Sequence, residues 1–82
     1  MPKNKNKQHR KFIYERDNFS CVYCGLVFNV PNDWNGVSAL HNGEMFLELD
    51  HVKPLSKKGT DLISNKQCLC QKCNNIKSNK YD

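Results

Sequence analysis

Apolar residues come in short bursts along the chain, and none approaches the roughly 18 consecutive positions that a membrane-spanning helix needs. From about Gln8 to Arg16 the pattern predicts a short helix with Phe12 and Ile13 facing inward, ended by Asp17-Asn18. Cys21-Val22-Tyr23-Cys24-Gly25 predicts a tight turn, with Gly25 supplying the left-handed backbone after the second cysteine. Leu26 to Val30 reads as a short strand, and Pro31 to Gly36 as a loop. Met45 to Asp50 reads as a strand ending at Asp50-His51, because Pro54 cannot continue a central strand. The polar run Ser56 to Ser64, which contains Gly59, is an exposed loop. Gln67-Cys68-Leu69 is a short strand returning beside the first, and Cys70 to about Lys80 is a final helix. Residues 1–7 are expected to be a disordered basic arm, and 8–82 a single domain without internal repeats. The expected fold is small and α+β: two strands and a helix, with an amino-terminal knuckle tied to that helix.

A chain of 82 residues buries a modest core and needs a staple. Five cysteines offer one. The basic, polar first residues lack the apolar stretch of a secretory signal, which points to a cytoplasmic protein with reduced thiols. There, paired cysteines bind metal more often than they form disulfides.

The net charge of +5 is unevenly spread. Residues 1–16 hold six Lys/Arg and one acid, 17–52 hold five acids and no Lys or Arg, and 53–82 hold seven lysines and two acids. Two basic ends around an acidic middle suit a polyanion met by both termini. A soluble, solvated surface would produce similar totals, so charge alone does not establish nucleic-acid binding.

The cysteines are more specific. Two residues between the members of Cys21/Cys24 and of Cys70/Cys73 let each pair reach one tetrahedral ion about 2.3 Å from every sulfur. Two pairs fill all four positions, so the ion is a structural zinc that contributes folding energy rather than chemistry. Cys68 alternates with Cys70 along the expected strand and reads as a buried apolar side chain.

Between the knuckles lies Glu48-Leu49-Asp50-His51-Val52-Lys53-Pro54, followed by Asn65 and by Cys70-Gln71-Lys72-Cys73-Asn74-Asn75-Ile76-Lys77. With Arg16-Asp17, Cys21-x-x-Cys24-Gly25 and Gly59, this order resembles the His-Asn-His (HNH) endonuclease family and its ββα-metal fold. The resemblance covers about residues 10–80, apart from 29–45, which look like an insertion. It implies that His51 activates the attacking water and that Asp50 holds a catalytic divalent ion. It also implies that Asn65 pins the loop that orients His51. Asn74 stands where the motif has its last histidine, which makes this a His-Asn-Asn variant. An amide oxygen suits hard cations, so the expected activator is Mg²⁺ or Mn²⁺, held by Asp50 and Asn74.

The chemistry follows from elementary requirements. A phosphodiester resists attack by water; a divalent ion neutralises charge developing on the leaving group, and a neutral imidazole accepts the proton of the water. Asp50 and His51, adjacent on a regular strand, point to opposite faces, so a bend or bulge at the strand end is expected to bring them together. DNA is the expected partner, with Lys77, Lys53 and Lys72 as candidate phosphate contacts. The resemblance implies that the hairpin and helix address the minor groove. Trp34 is expected to cover the small core. The competing possibilities are a zinc-ribbon nucleic-acid-binding module without catalysis, and an interaction subunit whose site has decayed. Neither requires Asp50, His51 and Asn74 together.

Overall fold

The computed structural model describes residues 5–78. Its elements in chain order are α1 (Lys5–Arg16), β1 (Leu40–His41), β2 (Phe46–His51), β3 (Lys66–Cys70) and α2 (Gln71–Lys77), with short 3-10 turns at Leu55–Lys57 and Ile63–Asn65. The sheet is antiparallel in the order β1-β2-β3. The strand pair β2–β3 followed by α2 is the ββα unit. Among the described residues, no helix is long and apolar enough to cross a membrane.

Helix α1 begins at Lys5, so the end of the expected basic arm is helical, while residues 1–4 lie outside the described residues. Its inward pair is Ile13 and Tyr14, both fully buried, whereas Phe12 is 52% exposed, contrary to expectation. Adjacent helix positions are about 100° apart, so one face cannot hold all three rings and chains; Ile13 and Tyr14 lie on the face that meets the sheet. The Tyr14 hydroxyl donates to the Leu47 carbonyl of β2. Trp34 stacks on Tyr14 at 5.7 Å between ring centroids and meets Phe19 edge-on at 5.8 Å, which seals this side of the core. The helix ends through Asn18 and Phe19, both with positive φ, and Asp17 then ties the turn to β3 by accepting from the Cys68 amide at 3.1 Å.

Leu26 to Val30 does not form a strand. The segment contributes only one bridge, Ser20 with Val27, because within it Phe28 alone is buried and the knuckle turn leaves no edge to pair along. The supposed insertion instead supplies β1, with Leu40 opposite Leu47 and His41 opposite Phe46. The connecting turn is built on Asn42, whose Oδ1 accepts from the Glu44 and Met45 amides, and on Gly43 at φ +94°.

The register of β2 on β3 runs without a bulge from Leu47 opposite Cys70 to His51 opposite Lys66. Strand alternation then sorts the side chains. Leu47, Leu49 and His51, with Cys70, Cys68 and Lys66, face α1. Glu48 and Asp50, with Leu69 and Gln67, face α2. The core contains Ile13, Tyr14, Cys21, Phe28, Leu40, Leu47, Cys68, Leu69 and Cys70. The last helix begins at Gln71 with Cys70 as its N-cap and ends at Lys77, short of the expected Lys80, because Ser78 turns the backbone out of the helix at φ +50°.

Candidate metal centre and strand-end site

The four sulfurs of Cys21, Cys24, Cys70 and Cys73 lie within 4.8 Å of one another. A tetrahedral ion about 2.3 Å from each sulfur would separate the sulfurs by roughly 3.8 Å. Cys24 Sγ and Cys70 Sγ are 3.8 Å apart, so the residues fit zinc. Both knuckles aim backbone amides at sulfur: the Cys24 amide donates to Cys21 Sγ at 3.5 Å and the Cys73 amide to Cys70 Sγ at 3.4 Å. Gly25 takes φ +80° as expected, closing the first turn with its amide on the Cys21 carbonyl. Burial works against the Cys21 thiolate, but the Cys24 and Cys70 amides more than offset it and bring the thiol down to about 7. Cys68 is outside the cluster and fully buried, its Sγ 3.7 Å from the Ile13 carbonyl. Burial pushes that thiol up to about 12, which keeps it neutral, as an apolar core residue should be.

The cysteine cluster lies at one end of β3, and a second site lies at the other. Between β2 and β3 the chain makes a loop clamped by Asn65. Its Nδ2 donates to the Lys53 carbonyl at 3.0 Å and the Thr60 carbonyl at 2.7 Å, and its Oδ1 accepts from the Lys53 amide at 2.9 Å. Gly59 is required for a different reason: a Cβ there would come within 1.8 Å of the Lys53 carbonyl oxygen.

By fixing Thr60, the clamp places the next residue, Asp61, against His51. Asp61 Oδ1 is 2.9 Å from His51 Nε2 and 3.1 Å from Lys66 Nζ. The hydrogen bonds from His51 and then Lys66 lower the Asp61 carboxyl to about 2. An ionised carboxylate only accepts, so His51 Nε2 is the donor of this pair. Sequence reasoning did not single out Asp61. Its one signal is that it is the only acid in residues 53–81, a stretch rich in lysine.

On the α2 face, two strand carboxylates meet two helix side chains. Asn74 Nδ2 donates to Glu48 Oε1 at 2.7 Å. Lys77 Nζ lies 3.3 Å from Asp50 Oδ1, 3.2 Å from Asp50 Oδ2 and 3.0 Å from the His51 carbonyl. Gln67 Nε2 completes the Asp50 shell at 2.9 Å. Strand positions two apart and helix positions three apart each share a face, which is why this ladder forms.

The structure therefore places the expected phosphate contact Lys77 differently. Lys77 is 7% exposed and its ammonium is spent on Asp50 and the strand end, because its position three after Asn74 turns it towards the sheet. Lys53 and Lys72 are exposed. No bend joins Asp50 to His51; they keep opposite faces, and both line the same pocket of about 250 Å³ where the strand runs out, with Ser56 and Lys77. His9 meets Lys66 Nζ at 3.0 Å, and exposed His41 packs edge-on to Phe46.

No curated protein and no solved structure matches the chain. A family model described as HNH endonuclease matches residues 21–80, which takes in both knuckles, the Asp50-His51 strand end, Asn65 and Asn74. That span is most of the 82 residues, and the chain belongs to the HNH endonuclease family.

Proposed function

We propose that the protein is a divalent-metal-dependent endonuclease that hydrolyses DNA phosphodiester bonds, with His51 as the general base. The observation that carries this reading is the state of His51. Its Nε2 is held by the Asp61 carboxylate, and the residue lines the same pocket as Asp50 at the end of the strand. In this reading Asn65 acts architecturally, and its side-chain bonds to Lys53 and Thr60, which hold the loop before Asp61, support it.

The donor types suit a hard cation. Asp50 offers a carboxylate and Asn74 an amide oxygen, both favoured by Mg²⁺ and Mn²⁺. A bound divalent ion would neutralise charge on the phosphate and on its leaving oxygen. Lys77 balances the charge of Asp50. His51 Nδ1 takes the proton of the attacking water, while the Asp61 carboxylate at Nε2 stabilises the resulting imidazolium. Exposed Lys53 and Lys72 supply phosphate contacts and salt-dependent affinity.

Nicking of supercoiled plasmid by zinc-loaded protein tests the reading. Mn²⁺ or Mg²⁺ is expected to support cleavage and chelation to abolish it, with Ni²⁺ clearly poorer because no imidazole is offered at position 74. Equal or faster turnover with Ni²⁺ would contradict the assignment of Asn74 as a ligand. DNA binding without cleavage in any of these metals would favour the non-catalytic zinc module.

A further inference from the structure

We infer that Glu48 is a positioning residue for metal binding: it fixes the side-chain amide of Asn74 so that the carbonyl oxygen, rather than the NH₂ group, is presented for a divalent cation. The inference rests on the nuclease reading and deepens it.

An asparagine amide has an oxygen on one side and an NH₂ on the other, and the two ends are nearly equal in size. As a ligand it works in only one of the two orientations, because an NH₂ group repels a cation. Nothing within Asn74 itself selects between them. Glu48 does. Its Oε1 is 2.7 Å from Asn74 Nδ2, a short, charge-assisted contact. A carboxylate can only accept, so the flipped amide would set Oδ1 against Oε1 and lose the bond. The NH₂ is therefore committed to Glu48 and Oδ1 to the other side.

Topology makes the contact durable. Glu48 and Asp50 are two apart on one face of β2, and Asn74 and Lys77 are three apart on the facing side of α2. The register of β2 on β3 is unbroken through Glu48, which is opposite Leu69, and Leu69 is fully buried. The sheet therefore fixes the backbone from which the Glu48 side chain reaches Asn74. The same carboxylate would hold the NH of a histidine at position 74, so the site keeps its orienting partner when the ligand changes from imidazole to amide.

The test is Mn²⁺ affinity of zinc-loaded protein without DNA, read from the electron paramagnetic resonance signal of free Mn²⁺. The set is wild type, Glu48→Ala, Glu48→Gln, Asn74→Ala and the double variant Glu48→Ala/Asn74→Ala, each confirmed folded by thermal melting. Loss of an orienting partner typically costs about 10-fold in metal affinity, and that is the expected effect of Glu48→Ala. Glu48→Gln keeps an acceptor oxygen and should lose less. The double variant should bind no more weakly than Asn74→Ala alone, because an amide that is absent cannot be oriented. A Glu48 that acted as a direct ligand, or only through its charge, would weaken binding further in the Asn74→Ala background, and a charge effect would make Glu48→Gln as poor as Glu48→Ala. Either result overturns the inference, as does unchanged affinity in Glu48→Ala. A wild type that binds no Mn²⁺ would overturn the metal-dependent nuclease reading together with it.

Discussion

Cys73→Ser is expected to abolish cooperative thermal melting, and stripping zinc from the wild type with a chelator is expected to do the same. The cluster joins a turn at residues 21–24 to the β3–α2 junction at 70–73, so it closes most of the chain into one loop. The buried core includes three of the cysteines, Cys21, Cys68 and Cys70, and few large apolar side chains. Structural zinc contributes on the order of 10–16 kcal/mol in small peptides, while the net stability of a domain is only about 5–15 kcal/mol. Without the ion the knuckle loses its link to the β3–α2 junction, and the small remaining core is not expected to sustain a cooperative fold. Far-UV circular dichroism and a zinc assay on the same sample would check this. A normal transition with full zinc content in Cys73→Ser would show that the ion does not staple the fold.

Asp50→Ala is expected to lower the melting temperature by more than about 10 °C, quite apart from any effect on cleavage. The side chains of Lys77 and Asp50 are only 5% and 8% exposed, so removing the carboxylate leaves a buried ammonium with the His51 carbonyl as its remaining partner. Orphaning one member of a buried pair costs about 3–5 kcal/mol, whereas replacing both by apolar groups is often close to neutral. The double variant Asp50→Ala/Lys77→Met should therefore recover most of the lost stability while remaining inactive. Differential scanning calorimetry of the zinc-loaded variants separates the two effects. An Asp50→Ala protein that melts like the wild type would mean that the pair does not fasten α2 to β2. Inactivity of Asp50→Ala alone therefore does not distinguish a lost metal ligand from a lost fold.

The elements legible in the sequence were those tied to a geometric rule. Four cysteines in two closely spaced pairs announce a tetrahedral ion, and they converge. Strands β2 and β3 follow from apolar alternation and from Pro54, with boundaries within one residue of expectation at most ends. Local signals failed where tertiary contacts decide. Phe12 and Tyr14 are equally plausible core residues until the sheet selects the Ile13–Tyr14 face of α1. β1 is only two residues long and has no alternation to read, although Asn42-Gly43 is a hairpin-turn signal. Leu26 to Val30 has the composition of a strand but pairs only through the single bridge of Val27 with Ser20.

The candidate site divides in the same way. Asp50, His51, Asn65 and Asn74 are marked by the resemblance of their order and spacing to the HNH motif. Asp61 is brought to His51 by the Asn65 clamp and by Lys66, and that loop closure exists only in three dimensions. The burial of Lys77 likewise depends on where α2 lies against β2, so a lysine that reads as a solvated or phosphate-binding side chain is instead the counter-ion of Asp50.

Plasmid nicking by His51→Ala and wild type, both zinc-loaded and with matched melting curves, tests the central claim most directly. His51 is half-buried and contributes a side-chain bond to an exposed loop carboxylate, so its removal should leave the fold in place. Loss of general-base catalysis costs about 10² to 10⁴ in rate. The expected result is Mn²⁺- or Mg²⁺-dependent nicking by the wild type that falls by that factor in His51→Ala. Equal cleavage by the two proteins would contradict the assignment of His51 as the base.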